Sequence, residues 1–189
     1  LSNLDAKLRR QVREDIREIQ QKLGVTTIYV THDQEEALAI SDKVIVMNDA
    51  IIAQEGSPKN LYHNPETKFV ANFIGDSNII KAKIETKQNT QYKISFANIS
   101  HEAESNLDLS DDISIAIRPE KIRINDTKIE NTLEAKVINS SFVGNTYQYS
   151  LETSEGKLFA ISSDTKKFKS NNEIVFISFE DDAITLLLD

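Results

Sequence analysis

The hydrophobic periodicity of this chain changes near Asp76, and that change constrains the fold more than any other feature. Before Asp76, apolar residues recur at the three- and four-residue spacing of helices, with short β-branched runs between them. After Asp76, short segments of alternating apolar and polar residues are separated by turn residues. We therefore predict two units, an α/β piece over residues 1–76 and an all-β barrel over residues 77–189.

The first unit is predicted to begin with an amphipathic helix. Apolar side chains recur at helical spacing from Ala6 to Leu23, with arginines between them. This pattern predicts a surface helix with one buried apolar stripe. Asp5 stands at the N-cap position, and Gly24 stands where a left-handed residue ends a helix.

A short strand and a loop are predicted next. Thr26–Val30 is rich in β-branched and aromatic residues and predicts a buried strand, whereas Asp33–Ile40 has helical character. Thr31 and His32 therefore fall on the loop between them. In an open parallel sheet, ligands bind outside the carboxyl ends of the strands, and a histidine there can donate a hydrogen bond to a phosphate oxygen.

Asp33 follows His32, and we expect the next three residues, Gln34, Glu35 and Glu36, to form the exposed first turn of a helix. A second histidine, His63, falls in a later turn, and we interpret it as solvent-exposed and incidental.

Turn and cap residues predict the remainder of the first unit. The residues 48–50 (Asn-Asp-Ala) predict a β-hairpin turn, in which Ala50 would cost up to about 1 kcal/mol if a positive φ is needed. Ser57 followed by Pro58 predicts the start of a short helix. Asn64-Pro65 predicts the start of another, which would end at Gly75.

The second unit is predicted to contain many short strands, and residues 101–112 are expected to form a solvated acidic loop. The predicted strands are Ile79–Ile84, Gln91–Phe96, Ile113–Ile117, Lys121–Ile124, Leu133–Asn139, Thr146–Glu152, Lys157–Ile161, Glu173–Phe179 and Ala183–Leu188. Such a series is typical of a small Greek-key barrel or sandwich.

Several of these segments, taken in order, resemble a known family. The residues Ser2, Asn3, Leu4 and Asp5, the helix and strand after them, and residues 31–37 (THDQEEA) resemble the D-loop and H-loop of ABC-type ATPases. The likeness is to the ATP-binding subunits of bacterial ABC importers of the polyamine, iron and sugar group. Residues 115–122 (IAIRPEKI) and 142–145 (FVGN) resemble the TOBE-type, OB-like regulatory barrel of such importers.

The resemblance implies roles for these residues. His32 would be catalytic and contact the γ-phosphate of ATP, while Ser2, Asn3, Leu4 and Asp5 would face a second ATPase subunit across a homodimer seam. ATP and Mg²⁺ would be the cofactors of the full-length subunit. Its partners would be transmembrane permease subunits and, indirectly, an extracytoplasmic solute-binding protein. Such a subunit lies in the cytoplasm, on the inner face of the cell membrane.

The sequence lacks other parts that ATP hydrolysis requires. Its five glycines nowhere form G-x-x-x-x-G-K-[ST], and no signature-like LSGGQ stretch occurs. In the family, the Walker B segment stands just before the D-loop, which would place it ahead of Leu1. Because the chain also begins with Leu, we expect a C-terminal fragment that is inactive alone.

Composition excludes several classes of protein and site. A net charge of −8 and a pI near 5.0 argue against nucleic acid as a partner. There are no cysteines, which fits a reducing compartment, and no histidine cluster indicates a metal site. No run approaches the roughly 18–20 apolar residues of a membrane-spanning helix.

Two alternatives stay open at this point. The first is a non-enzymatic regulatory module, in which the barrel binds a small ligand or dimerises and the ATPase remnant is a scaffold. The second is an ABC ATPase of the DNA-repair type. That class has long coiled-coil arms and basic grooves, which this acidic chain with a β-rich tail does not show.

Overall fold

The computed structural model describes residues 5–188 and divides into two compact units. The first unit comprises the residues up to Pro65 together with Phe73–Gly75. The second comprises Glu66–Asn72 together with the residues from Asp76 onward. Within the described residues, no helix is both long enough and apolar enough to cross a lipid bilayer.

The first helix, α1, covers Ala6–Leu23, as the apolar spacing predicts. The Leu8 N–H donates to Asp5 Oδ1 at 2.9 Å, which confirms Asp5 as the N-cap. Gly24 adopts the left-handed conformation (φ 63°), and its N–H donates to the Gln20 carbonyl.

The prediction that α1 buries its apolar stripe is wrong for this structure. Leu8, Ile19 and Leu23 are exposed, and Val12 and Ile16 are only half-buried. The second helix, α2 (Gln34–Ile40), is bound to α1 through arginine side chains instead, as described below. Helical spacing predicts which residues share a face, but burial of that face also requires an element that packs on it.

The predicted strand Thr26–Val30 is also absent. The segment has no regular secondary structure and is exposed throughout, with Ile28 and Val30 at 89% and 90% exposure. A strand exists only where its backbone N–H and C=O groups pair with a neighbour. No strand among residues 5–188 pairs with this segment, so the predicted parallel sheet and its carboxyl edge do not form here.

A β-hairpin formed by β1 (Val44–Asn48) and β2 (Ile51–Gly56) confirms the predicted turn. Asp49 and Ala50 have φ values of 48° and 62°, so both lie in the left-handed region that a two-residue hairpin turn requires. Ala50 therefore carries the cost of about 1 kcal/mol relative to glycine.

Two short helices follow the hairpin. In α3 (Pro58–His63), Ser57 accepts the Asn60 N–H at 3.2 Å, which confirms the predicted N-cap. The next helix, α4, covers Lys68–Phe73 and does not begin at Asn64-Pro65. Thr67 Oγ1 accepts the Val70 N–H at 3.3 Å, and this later cap sets the start.

The second unit contains ten strands, of which nine correspond to the predicted segments. The tenth, which was missed, occupies the start of the predicted acidic loop, and residues 105–111 alone form that loop. The strands are β3 (Asn78–Gln88), β4 (Gln91–Phe96), β5 (Ile99–Glu104), β6 (Asp112–Ile117), β7 (Ile122–Asn125), β8 (Leu133–Phe142), β9 (Tyr147–Thr153), β10 (Gly156–Ser162), β11 (Ile174–Phe179) and β12 (Ile184–Leu187).

These strands form two five-stranded antiparallel sheets rather than one barrel. Their orders are β10-β9-β8-β11-β7 and β12-β6-β3-β4-β5. The edge strands β7 and β10 lie close to each other, as do β5 and β12, so each sheet curls toward closure. Inward-facing side chains of both sheets, among them Ile94, Ile115, Leu151 and Ile177, share one hydrophobic core.

A cluster of charged side chains fixes the turn between β11 and β12. Lys121 Nζ lies 3.1 Å from Glu180 Oε2 and 2.9 Å from Asp182 Oδ1, and Arg123 Nε lies 3.3 Å from Glu180 Oε1. The hydrogen bond from Lys121 lowers the pKa of Glu180 below its ordinary value. The ionised carboxylate therefore stabilises the folded state.

We predict that Glu180→Gln makes the second unit less stable at pH 7 but not in acid. A carboxyl whose pKa is lowered by folding contributes stability above its unfolded pKa of about 4.5. That contribution disappears as the pH falls through the lower, folded-state pKa. Urea unfolding at several pH values measures the effect, with Glu130→Gln, in the turn before β8, as the control. A difference between Glu180→Gln and the parent that persists below the folded-state pKa would contradict the assignment.

Candidate functional site around His32

The loop that carries His32 is ordered by hydrogen bonds from its neighbours. Asp33 is the N-cap of α2, and its Oδ1 accepts the Glu36 N–H at 3.1 Å. Thr31 Oγ1 accepts the Asp33 N–H at 3.0 Å, which closes a turn around His32. The backbone on both sides of His32 is thus held in place, while its side chain is exposed.

A buried carboxylate lies beneath this loop. Glu36 is only 4% exposed, and its Oε2 accepts the Thr31 hydroxyl at 2.8 Å and the Tyr29 hydroxyl at 3.0 Å. Partial burial and then the hydrogen bond to Glu36 raise the pKa of the Tyr29 phenol. The expectation that Glu36 is exposed is wrong, because its side chain turns inward to accept both hydroxyls.

Three arginines spaced four residues apart on α1 bind acidic residues on and around α2. Arg9 Nη1 lies 3.6 Å from Asp33 Oδ2, and Arg13 Nη1 lies 3.4 Å from Glu35 Oε2. Arg17 pairs with Asp42 and also donates to the Ile40 carbonyl at 3.1 Å. The four-residue spacing places all three on one face of α1, and the Arg9–Asp33 pair anchors the loop at His32.

A hydrogen bond shifts the pKa values of Arg17 and Asp42. The bond between Arg17 and Asp42 raises the pKa of the guanidinium and lowers the pKa of the carboxyl. Both groups are charged at neutral pH, so this pair contributes an electrostatic attraction between α1 and the end of α2.

The other predicted site residues lie partly outside the described chain. Asp5 is described and caps α1, as stated above, whereas Ser2, Asn3 and Leu4 lie outside the described residues. The structure therefore places one of the four predicted D-loop residues. His63 is exposed, as predicted, and its ring packs edge-on against Tyr62 with 5.4 Å between ring centroids.

The described residues contain no group of three or more His, Cys, Asp or Glu side chains placed to hold a metal ion. What the site offers is an exposed imidazole on a loop with a fixed backbone. Such a group can donate a hydrogen bond or a proton to an anionic oxygen. The signals that sequence reasoning missed are the arginine spacing on α1 and the position of Glu36 at N3 of α2.

Residues 115–187 match the TOBE domain family. Over 99% of its length, the chain is 40% identical to an Fe(3+) ions import ATP-binding protein of Rhizobium etli, of which it covers 53%. It is 41% identical over 85% of its length to the Brucella melitensis protein of that name and 38% identical over 88% to the Fusobacterium nucleatum protein, covering 45% and 44% of them.

Over nearly its whole length, the chain is therefore similar to import ATP-binding proteins. These similarities confirm the predicted resemblance to importer ATP-binding subunits and, within residues 115–187, to the TOBE domain. The chain spans about half the length of the relatives that it matches. A cytoplasmic molybdate-binding protein, ModG, matches with 8% identity and a TM-score of 0.47, covering 58% of this chain and 94% of that one. A likeness of that strength carries no argument about fold or ligand.

We predict that Glu36→Ala destabilises the first unit by about 1–3 kcal/mol, because two hydroxyl donors lose a shared buried acceptor. Glu35→Ala is the matched control, since it removes a neighbouring carboxylate whose side chain is 81% exposed, and it should cost less than about 0.5 kcal/mol. The free energy of unfolding in urea, followed by amide signals of α2, measures both. Equal effects of the two substitutions would show that the buried acceptor contributes no more than the exposed carboxylate, which would contradict the prediction.

Proposed function

We propose that this chain is the C-terminal part of an ATP-hydrolysing subunit of an ABC importer, with ATP as substrate and Mg²⁺ as its cofactor. The observation that supports this most directly is the position of His32. Its imidazole is exposed on a loop that Thr31, Asp33 and Glu36 hold in place, in a chain homologous to import ATP-binding proteins over nearly its full length.

His32 fits a contact with the terminal phosphate of ATP better than it fits a structural role. It is exposed, so its ring nitrogens can reach a ligand, and its backbone is fixed, so a contact costs little ordering. A hydrogen bond from the imidazole to a γ-phosphate oxygen would stabilise charge that develops there during transfer. The residues described here include no glycine-rich phosphate loop, so triphosphate affinity must come from elsewhere in a complete subunit.

The assembly and location follow from the same proposal. Ser2, Asn3, Leu4 and Asp5 would face a second ATPase subunit in a homodimer. Permease subunits would provide the membrane path, and a solute-binding protein would deliver cargo on the other side. The subunit would lie on the cytoplasmic face of the membrane. Because the relatives are named for Fe(3+) import, ferric iron is the first cargo to test.

We propose that residues 77–189 form a regulatory domain of OB-like character. Its support is the TOBE match over residues 115–187 and the two curled sheets around one core. Residues 1–76 would be the C-terminal part of the ATPase domain. The exposed segment Thr26–Val30 in the first unit is compatible with that assignment, since an ATPase domain supplies further strands for pairing.

In the complete subunit, we predict that His32→Ala abolishes steady-state ATPase activity and transport while leaving nucleotide binding largely intact. Loss of one preorganised contact to transferring phosphate costs about 3–4 kcal/mol at the barrier, or roughly 10²–10³ in rate. Nucleotide affinity depends mainly on the phosphate loop and its lysine. Hydrolysis under saturating ATP, with the membrane subunits present, measures the change.

The control is His63→Ala, which alters the other exposed histidine of the first unit. It should change activity less than about twofold, as expected of an ordinary surface site. If His32→Ala hydrolysed ATP and transported at the parental rate, the proposed role of His32 would be wrong.

A non-enzymatic regulatory module is the second candidate, and the shared hydrophobic core of the two sheets in the second unit favours it. Calorimetry separates the two functions. We predict that the 189-residue chain alone binds Mg-ATP far more weakly than the complete subunit, because one histidine supplies little affinity. Equal weakness of the complete subunit would favour the regulatory module, and micromolar affinity of the isolated chain would contradict the prediction.

A further inference from the structure

The segment Glu66–Asn72 belongs to the second unit, although the residues on both sides of it belong to the first. The Leu188 N–H donates to the Glu66 carbonyl at 2.7 Å, and Thr67 forms a parallel bridge with Leu188 beyond the end of β12. Ala71 is fully buried against Ala116 and Leu187. The chain between the two units therefore runs through a segment that is packed on the second unit.

Arg118 closes the other end of this segment. It follows β6 and is only 8% exposed. Its Nη1 donates to the Ala71 carbonyl at 2.9 Å, the Asp76 carbonyl at 3.2 Å and Ser77 Oγ at 2.6 Å. The Ala71 carbonyl is one of the last four of α4, which have no partner within the helix. A buried cation at this position satisfies that carbonyl and complements the helix dipole.

The end of β6, from which Arg118 extends, is held by the side chain of Asn78. Asn78 Nδ2 donates to the Phe159 carbonyl at 2.8 Å, and Asn78 Oδ1 accepts the Phe159 N–H at 2.7 Å. The same Nδ2 lies 3.2 Å from the Ile117 carbonyl, next to Arg118. One side chain thus joins β3 to β10 of the other sheet at the point where the arginine emerges.

We propose that Arg118 is a positioning residue that latches the segment Glu66–Asn72 to the rest of the second unit. Because the chain runs from this segment directly into Phe73–Gly75 of the first unit, a displacement of Arg118 would be carried along α4 into those residues. The role in coupling rests on the proposed function, whereas the latch itself does not. All three contacts come from Nη1, and the planar guanidinium fixes the directions of its N–H groups, whereas the N–H groups of a lysine ammonium rotate freely.

Hydrogen exchange on the full chain tests the latch. In Arg118→Gln, the amides of Ala71 and Leu188 should exchange about tenfold to a hundredfold faster, the range expected when a hydrogen bond to a charged group is lost. Amides between β8 and β9 should keep their parental rates. Arg123→Gln is the matched control, since it removes an exposed arginine on the other side of the 3₁₀ turn Pro119–Lys121, and it should leave the Ala71 and Leu188 amides unchanged.

Two outcomes would overturn the proposal. Unchanged exchange at Ala71 and Leu188 would show that Arg118 does not hold the segment. Equal acceleration across β8 and β9 would show that Arg118 serves general stability alone. If Arg118→Gln does not fold, Ser77→Ala and Arg118→Lys test the latch instead, since each weakens part of the hydrogen bonding around Arg118. Both should accelerate the same two amides by less than the glutamine variant would, and parental rates in both would overturn the latch.

The complete subunit tests the coupling separately. Arg118→Gln should keep parental nucleotide affinity but reduce the stimulation of ATP hydrolysis by the membrane subunits, and parental stimulation would overturn the coupling role. If the unmodified subunit itself failed to hydrolyse ATP, the proposed function would fail, while the exchange experiment would still decide on the latch.

Discussion

The pairing of backbone N–H and C=O groups between strands is the constraint on which both units depend. In the second unit, each of the ten strands pairs with a neighbour, and the two sheets enclose one core. In the first unit, Thr26–Val30 carries the side chains of a strand, but no strand among the described residues pairs with its backbone. Strand propensity describes how well a residue fits a pleated surface, and a surface of that kind requires a second strand.

The same constraint explains which predictions from sequence succeeded. Helix caps and hairpin turns depend on residues within three or four positions of each other, so Asp5, Ser57 and the Asp49–Ala50 turn could all be predicted. Alternation also predicted nine strands, because it records one buried and one exposed face. The strand β5 was missed because the acidic residues within 101–112 suggested a solvated loop, whereas hydrogen bonds to β4 decide its conformation.

The site around His32 was predicted less completely, because its geometry depends on contacts distant in sequence. The exposed histidine on a loop before a helix could be predicted from the order of residues. The burial of Glu36 could not, since it requires Tyr29 and Thr31 to donate to one carboxylate. The arginine face of α1 also had no local signal beyond its spacing, because Arg9 and Arg13 find their partners more than twenty residues away.

Buried polar side chains in the two units perform the same physical task with different partners. Glu36 accepts hydrogen bonds from hydroxyl groups and thereby fixes the loop before α2. Arg118 and Asn78 donate to backbone carbonyls, and they thereby fix α4 and the junction of the two sheets. A buried polar group is costly unless its hydrogen bonds are satisfied, so each such group specifies one arrangement over its competitors. Apolar packing can hold a helix against a sheet in several registers, and a guanidinium that reaches three oxygens at once can do so in very few. That difference makes Arg118, rather than the surrounding core, the suitable element for transmitting a small displacement along the chain.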